Sequence, residues 1–139
     1  VTDIFSKSKR SEIMSKVRAT ETKPEIAIRK YLFSKGFRFK KNVKSLPGTP
    51  DIVLPKFKIV IFVHGCFWHG HKNCKASTLP KTKIKYWTNK IATNISRDKT
   101  RIKELKKLGW RIITIWECKI RTNEKMQNEM LALIGKIHC

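Results

Sequence analysis

The sequence is short of acid. Ten Asp and Glu stand against 32 Lys and Arg in 139 residues, giving a formal net charge of +22 and an isoelectric point near 10.3. A surface this unbalanced repels itself unless it meets a polyanion. Nucleic acid is the partner this favours, because phosphates neutralised by Lys and Arg release their counterions. An acidic membrane surface is the weaker match. Long apolar runs are missing too: nothing approaches the ~20 residues needed to span a bilayer. The opening VTDIFSKSKR has no apolar core of the secretory kind, so an intracellular, cytoplasmic protein is expected. Internal repeats and low-complexity linkers are absent. One compact domain over 1–139 is expected. Cysteine is scarce, four in all. In an intracellular chain that argues for metal or chemistry before disulfides.

What is present orders itself into alternating elements. Residues 1–21 read as a basic N-terminal arm or short helix, with a small apolar set at Ile13, Met14 and Val17. Thr22 and Glu25 form a capping box, Pro24 sits in the first turn and Gly36 is a stop, so a helix is expected over 22–36. Phe37 and Phe39 alternate and predict a strand over 37–43. After the turn signal 45-SLPGTP-50, two apolar runs, 51–54 and 58–64, read as a hairpin broken at Pro55-Lys56. The second run is apolar nearly throughout, as a central buried strand is. Trp87, Ile91, Ile95, Ile102 and Leu105 space a long helix over 83–108 that Gly109 can end. A strand over 110–118 and a helix over 123–137 close the chain. Helices bracketing strands give an α/β sandwich around a mixed sheet.

The chemistry concentrates in 63-VHGCFWHGHKNC-74. Cys66, His71 and Cys74 approach metal-ligand spacing without the second local pair of an ordinary zinc finger. Cys118, at the end of a predicted strand, is available as a fourth ligand, and a Cys3His set is a closed structural zinc site. The spacing also fits buried thiols that hold no metal, and His138 and Cys139 are competing ligands. Asp51 opens the strand beside the one His64 ends. A carboxylate so placed can hold a hard cation such as Mg²⁺, or can cap its own turn. Asp98 on the long helix can orient a histidine by accepting its second N–H, or can pair with Arg97 or Arg101. The tracts 7-KSKR-10, 38-RFKK-41 and 81-KTKIK-85 suit phosphates, and equally a solvated face.

The strings 18-RATETKPE-25, 47-PGTPD-51, 60-VIFVHGCFWHGH-71, 94-NISRD-98 and 109-GWRIITIWEC-118 resemble, in order and over nearly the whole chain, the very short patch repair (Vsr) endonucleases. The resemblance implies a variant of the restriction-endonuclease fold, and an enzyme that nicks DNA 5′ to the T of a T·G mismatch left by deamination of 5-methylcytosine. It implies Asp51 as the Mg²⁺ ligand, with Val63 contributing its backbone carbonyl where well-known members have threonine. His64 and His69 match the catalytic histidines, with His69 as general base and His64 stabilising or protonating groups around the scissile phosphate; the two roles can be exchanged. Glu25 matches an acid that holds metal-bound water. The triplet Phe62-Val63-His64 stands where the wider fold carries a second acid and a lysine. Cys66, His71 and Cys118 match zinc ligands, and Cys74 matches the fourth once a single residue is inserted in 71-HKNC-74. Phe67 and Trp68, with Trp87 as a third, match aromatics that wedge into the base stack. The resemblance further implies a nucleoid-associated monomer with a functional link to a cytosine-5 methyltransferase and other repair proteins. Two rivals remain: a restriction-type nuclease of the same fold with other DNA specificity, and a non-enzymatic zinc DNA-binding module.

Overall fold

A computed structural model describes residues 23–72 and 74–138. Its secondary structure runs α1 (Lys23–Ser34), β1 (Lys40–Lys41), β2 (Ile52–Leu54), β3 (Ile59–His64), α2 (Ile84–Lys107), β4 (Arg111–Trp116) and α3 (Asn123–Ile137). The four strands form one mixed sheet in the order β1-β2-β3-β4. β1 and β2 pair antiparallel, as do β2 and β3, and β3 pairs parallel with β4 through the α2 crossover. No helix among the described residues is long and apolar enough to cross a membrane.

Strand periodicity assigns the two faces of the sheet. Ile59 and Ile61 of β3 turn to the side that also receives Ile52, Leu54, Ile113 and Ile115, where α1 brings Ile28 and Leu32 and α3 brings Met130, Leu133 and Ile137. Val60 and Phe62 turn to the other side with Val53, under Leu105 of α2. A strand used on both faces must be apolar at nearly every position, which is why 59–62 is uninterrupted.

Helix ends fall where the sequence places its stops. Gly36 is left-handed at φ +86, and the Phe37 amide reaches the Leu32 carbonyl at 3.0 Å, closing α1 in a Schellman arrangement. Gly109 at φ +90 follows α2 in the same role. Thr122 caps α3 by accepting from the Lys125 amide. The Thr22 half of the expected capping box, and the 1–21 arm, lie outside the described residues.

Two strand expectations need correction. The 37–43 strand contracts to Lys40–Lys41, because Phe37 closes the helix and enters the core while Asn42 turns left-handed at φ 50. The 110–118 strand ends at Trp116, and Cys118 sits on the 3₁₀ turn Glu117–Lys119 that follows.

Candidate active site and metal centre

β3 delivers the chain into the histidine- and cysteine-rich loop at the carboxyl end of the parallel pair, where ligand sites of open α/β sheets form. Gly70 is left-handed at φ +59, and a Cβ there would meet Ile95 at 2.7 Å and Ile91 at 2.8 Å. Only glycine lets the loop lie this close to α2. Along the loop, side chains then part to different destinations.

Cys66, His71, Cys74 and Cys118 gather with their ligand atoms all within 4.8 Å of one another. The Cys118 Sγ lies 3.4 Å from His71 Nδ1, against about 3.6 Å for an S···N edge of a tetrahedral zinc site. Three soft thiols and one imidazole are a zinc-type donor set. Burial, with the neighbouring Cys118 and Cys74 thiols, pushes the Cys66 thiol up to about 11, which favours its protonated form. A metal would reverse that preference, since ligands bind it deprotonated. Ser77 braces the loop by donating to the carbonyls of His71 and Cys74. His138, a competing ligand by sequence, instead packs against Phe37 and Phe57; Cys139 lies outside the described residues.

On the other side of the loop His64 and His69 stack face to face, centroids 3.8 Å apart and planes 1° from parallel. Their in-plane lone pairs therefore run side by side rather than converging on one ion, although their nitrogens and an Asp98 oxygen lie within 4.8 Å of one another. His69 Nδ1 bonds to Asp98 Oδ2 at 2.6 Å. Of the sequence alternatives for Asp98, the contact present among the described residues is the one with His69. Asp98 as a carboxylate can only accept, so the bond places a proton on His69 Nδ1 and, in the neutral ring, leaves Nε2 as the acceptor nitrogen. His64 is buried, and its Nδ1 has no hydrogen-bond partner among the described residues. Burial, reinforced by His69, lowers its pKa to about 4, so it is neutral at pH 7.

Asp51 precedes β2 and is tied at both ends. Its carbonyl accepts from the Asn42 amide at 3.0 Å, and its Oδ2 accepts from the Val63 amide at 2.7 Å. Val63 thus meets Asp51 through its backbone, a role any side chain permits. Burial raises the Asp51 carboxyl to about 6, the Val63 N–H opposing and the Glu25 charge adding to the rise. Glu25, in the first turn of α1, is 1% exposed, with Arg29 3.7 Å away. Glu25, Asp51, His64, His69 and Asp98 all line one open cavity of about 730 Å³. Carboxylate oxygen and backbone carbonyl are donors that suit Mg²⁺, which keeps several waters.

Phe67, Trp68 and Trp87 form a third group, with ring centroids 5.2 to 5.8 Å apart. Trp87 sits on the helix stripe yet joins neither core cluster; it packs on the loop aromatics. The Asn94 amide donates to the Trp68 carbonyl at 2.9 Å and so fixes the loop to α2.

Sequence reasoning missed Trp116. It pairs in register with His64, stacks on His71 at 4.1 Å and meets the His64 ring edge-on at 5.2 Å, a wall between the two clusters. Its parallel alignment with β3 is a tertiary fact with no local signal. The two expected basic tracts within the described residues do not line the cavity. Arg38, Lys40, Lys41, Lys81, Lys83 and Lys85 are exposed elsewhere, residues 7–10 are not described, and the cavity's cations are Lys44, Lys90, Arg97 and Arg101.

The known proteins similar to this chain are named as endonucleases or nicking enzymes. The family model described as "DNA mismatch endonuclease Vsr" matches residues 2–76. The Type II nicking enzyme V.NmeAIP of Neisseria meningitidis serogroup A is 44% identical over 137 residues, 99% of this chain and 97% of its own. The Type II nicking enzyme V.XorIIP of Xanthomonas oryzae pv. oryzae is 46% identical over 120 residues, covering 86% of this chain and 88% of its own. DNA mismatch endonuclease Vsr of Escherichia coli K12 is 39% identical over 129 residues, 93% of this chain and 82% of its own. With a family match over more than half the chain and relatives aligned along nearly all of it, the chain belongs to the Vsr family of DNA mismatch endonucleases.

Proposed function

We propose that this protein is a Mg²⁺-dependent endonuclease that nicks one strand of duplex DNA 5′ to the T of a T·G mismatch, on a variant of the restriction-endonuclease fold. The observation that carries the reading is the His69–Asp98 hydrogen bond, set beside a raised Asp51 carboxyl in the same cavity. Hydrolysis adds a water oxygen to phosphorus and breaks one P–O bond, with a proton leaving the water and one reaching the departing oxygen. His69 takes the water's proton at Nε2, and Asp98 stabilises the imidazolium that results. His64, neutral and buried against it, keeps the pair from charging together. Asp51, the Val63 carbonyl and Glu25 form the hard-ligand side. Mg²⁺, when bound there, supplies Lewis acidity to the scissile phosphate.

Zinc on Cys66, His71, Cys74 and Cys118 is structural in this reading, holding the loop that presents Phe67 and Trp68. Those rings, with Trp87, enter the base stack at the mismatch, at a cost of a few kcal/mol per unstacked step. A mismatched step opens more cheaply, which gives selectivity. The enzyme acts as a monomer, in functional partnership with a cytosine-5 methyltransferase.

The test uses end-labelled duplexes that carry T·G, T·A or C·G at one position in several flanking sequences, with and without Mg²⁺. The expected result is a single nick, in the T strand of the T·G duplex alone, dependent on Mg²⁺. Cleavage of matched duplex at one sequence would replace this reading with a restriction-type nuclease. Binding without any nick would replace it with a DNA-binding module.

A further inference from the structure

The cavity that holds Asp51 is lined by four carboxylates, Glu25, Asp51, Asp98 and Glu117. A DNA strand carries a negative charge at every phosphate, so carboxylates alone would repel it. Four cations line the same space: Lys44, Lys90, Arg97 and Arg101. Three stand on α2 at i, i+7 and i+11, which keeps them on one helical face. At 1.5 Å per residue that row is about 16 Å long.

Arg101 differs from the others in how it is held. Gly48 lies left-handed at φ +78, and a Cβ there would fall 3.2 Å from Arg101 Cβ, 3.3 Å from its Cγ and 3.3 Å from Phe62 Cε1. The turn around Gly48 therefore rests directly on the Arg101 stem, beside the Phe62 ring. Arg101 forms no ion pair among the described residues, and Asp98, three positions back along the helix, is engaged by His69. An arginine with an immobilised stem and an uncommitted fork loses little further freedom on taking up a phosphate, which its planar donors can grip in bidentate fashion.

We propose that Arg101 is a substrate-positioning residue that grips a backbone phosphate of the nicked strand beside the scissile one, with Arg97 and Lys90 continuing the track along α2. The proposal rests on the DNA-nicking reading of the cavity.

The test is equilibrium binding of a fluorescent T·G duplex in Mg²⁺-free buffer between 50 and 200 mM salt, on zinc-containing protein. R101Q is expected to bind about tenfold more weakly at low salt, with a slope of log K against log salt shallower by ~0.9. The deficit then narrows by about 3.5-fold at high salt. R101K keeps the slope and loses part of the affinity. K103Q, on the exposed side of the same helix, changes neither. With Mg²⁺ added, the R101Q loss appears in KM while kcat stays within about threefold. Parental affinity and slope in R101Q, an equal slope change in K103Q, or a kcat loss with unchanged KM would each overturn the proposal. Should R101Q fail to fold, R101M keeps the apolar stem and reads the same slope. Because binding is the readout, a parent that binds but never nicks T·G duplexes overturns the nicking reading alone. A parent that nicks while R101Q binds normally overturns this proposal alone.

Discussion

Two clusters share one short loop and differ in almost every physical respect. Cys66, His71, Cys74 and Cys118 converge, a soft donor set with a short S···N edge, braced by Ser77. His64 and His69 stack in parallel and His69 is hydrogen-bonded to Asp98, beside an open cavity with a hard carboxylate near them. The first has its donor atoms placed to close around an ion, and the second faces open space. The difference teaches that proximity in sequence says little about which site a histidine serves. His69 and His71, two residues apart, go to opposite sides of Trp116's neighbourhood, one hydrogen-bonded to Asp98 and one stacked on the indole.

The largest effect should come from breaking the closed cluster. C66S or C118S is expected to lose zinc and cooperative folding together, since structural zinc contributes roughly 10 kcal/mol or more to such a fold. Metal analysis and thermal melts check this. A zinc-free variant that melts like the parent would remove the structural role.

Breaking the open cluster should leave the fold standing. H69Q is expected to nick about 10²- to 10⁴-fold more slowly, with an unchanged melting temperature. A loss of stability equal to that of C118S would merge the two clusters into one.

The open cluster also carries opposed titrations. Asp51 has a folded pKa raised to about 6, so its contribution to stability is full below about 3.8 and is lost as pH rises through 6. His64 has a folded pKa lowered to about 4 from 6.5, so its contribution is full above 6.5 and is lost as pH falls through 4. Over pH 4 to 6 the two oppose each other. Relative to the parent in Mg²⁺-free buffer, D51N should gain stability as pH rises across that window, and H64Q should lose it. Melts at several pH values check both signs.

The smallest effect belongs to Asn94. N94A removes one hydrogen bond to the Trp68 carbonyl, worth about 1 kcal/mol. It should weaken T·G duplex affinity by roughly fivefold, measured by titration, while zinc content stays the same.

Much of this was legible in the sequence, for physical reasons. Gly36 and Gly109 announce helix ends because left-handed backbone costs other residues more. The apolar run before His64 announces a strand buried on both faces. The loop's ligand and catalytic types are local and so readable, and Cys118 was assigned to the metal cluster although it lies on a 3₁₀ turn rather than a strand end. The rest depends on tertiary placement. Nothing near Trp116 signals that β4 will set it opposite His64. Nothing in the lysine-rich tracts reveals that the cavity's cations come from α2 and the 44–49 turn. The shortness of β1 follows from Asn42 turning left-handed, a choice that alternation of Phe37 and Phe39 conceals.

The division of labour within the loop is tested most directly by the zinc content per chain of folded H69Q measured beside that of H71Q. The account predicts a full complement of zinc in nick-deficient H69Q and a loss of zinc in H71Q. Zinc lost from H69Q and retained by H71Q would contradict it, because His69 would then be serving the metal and His71 the chemistry.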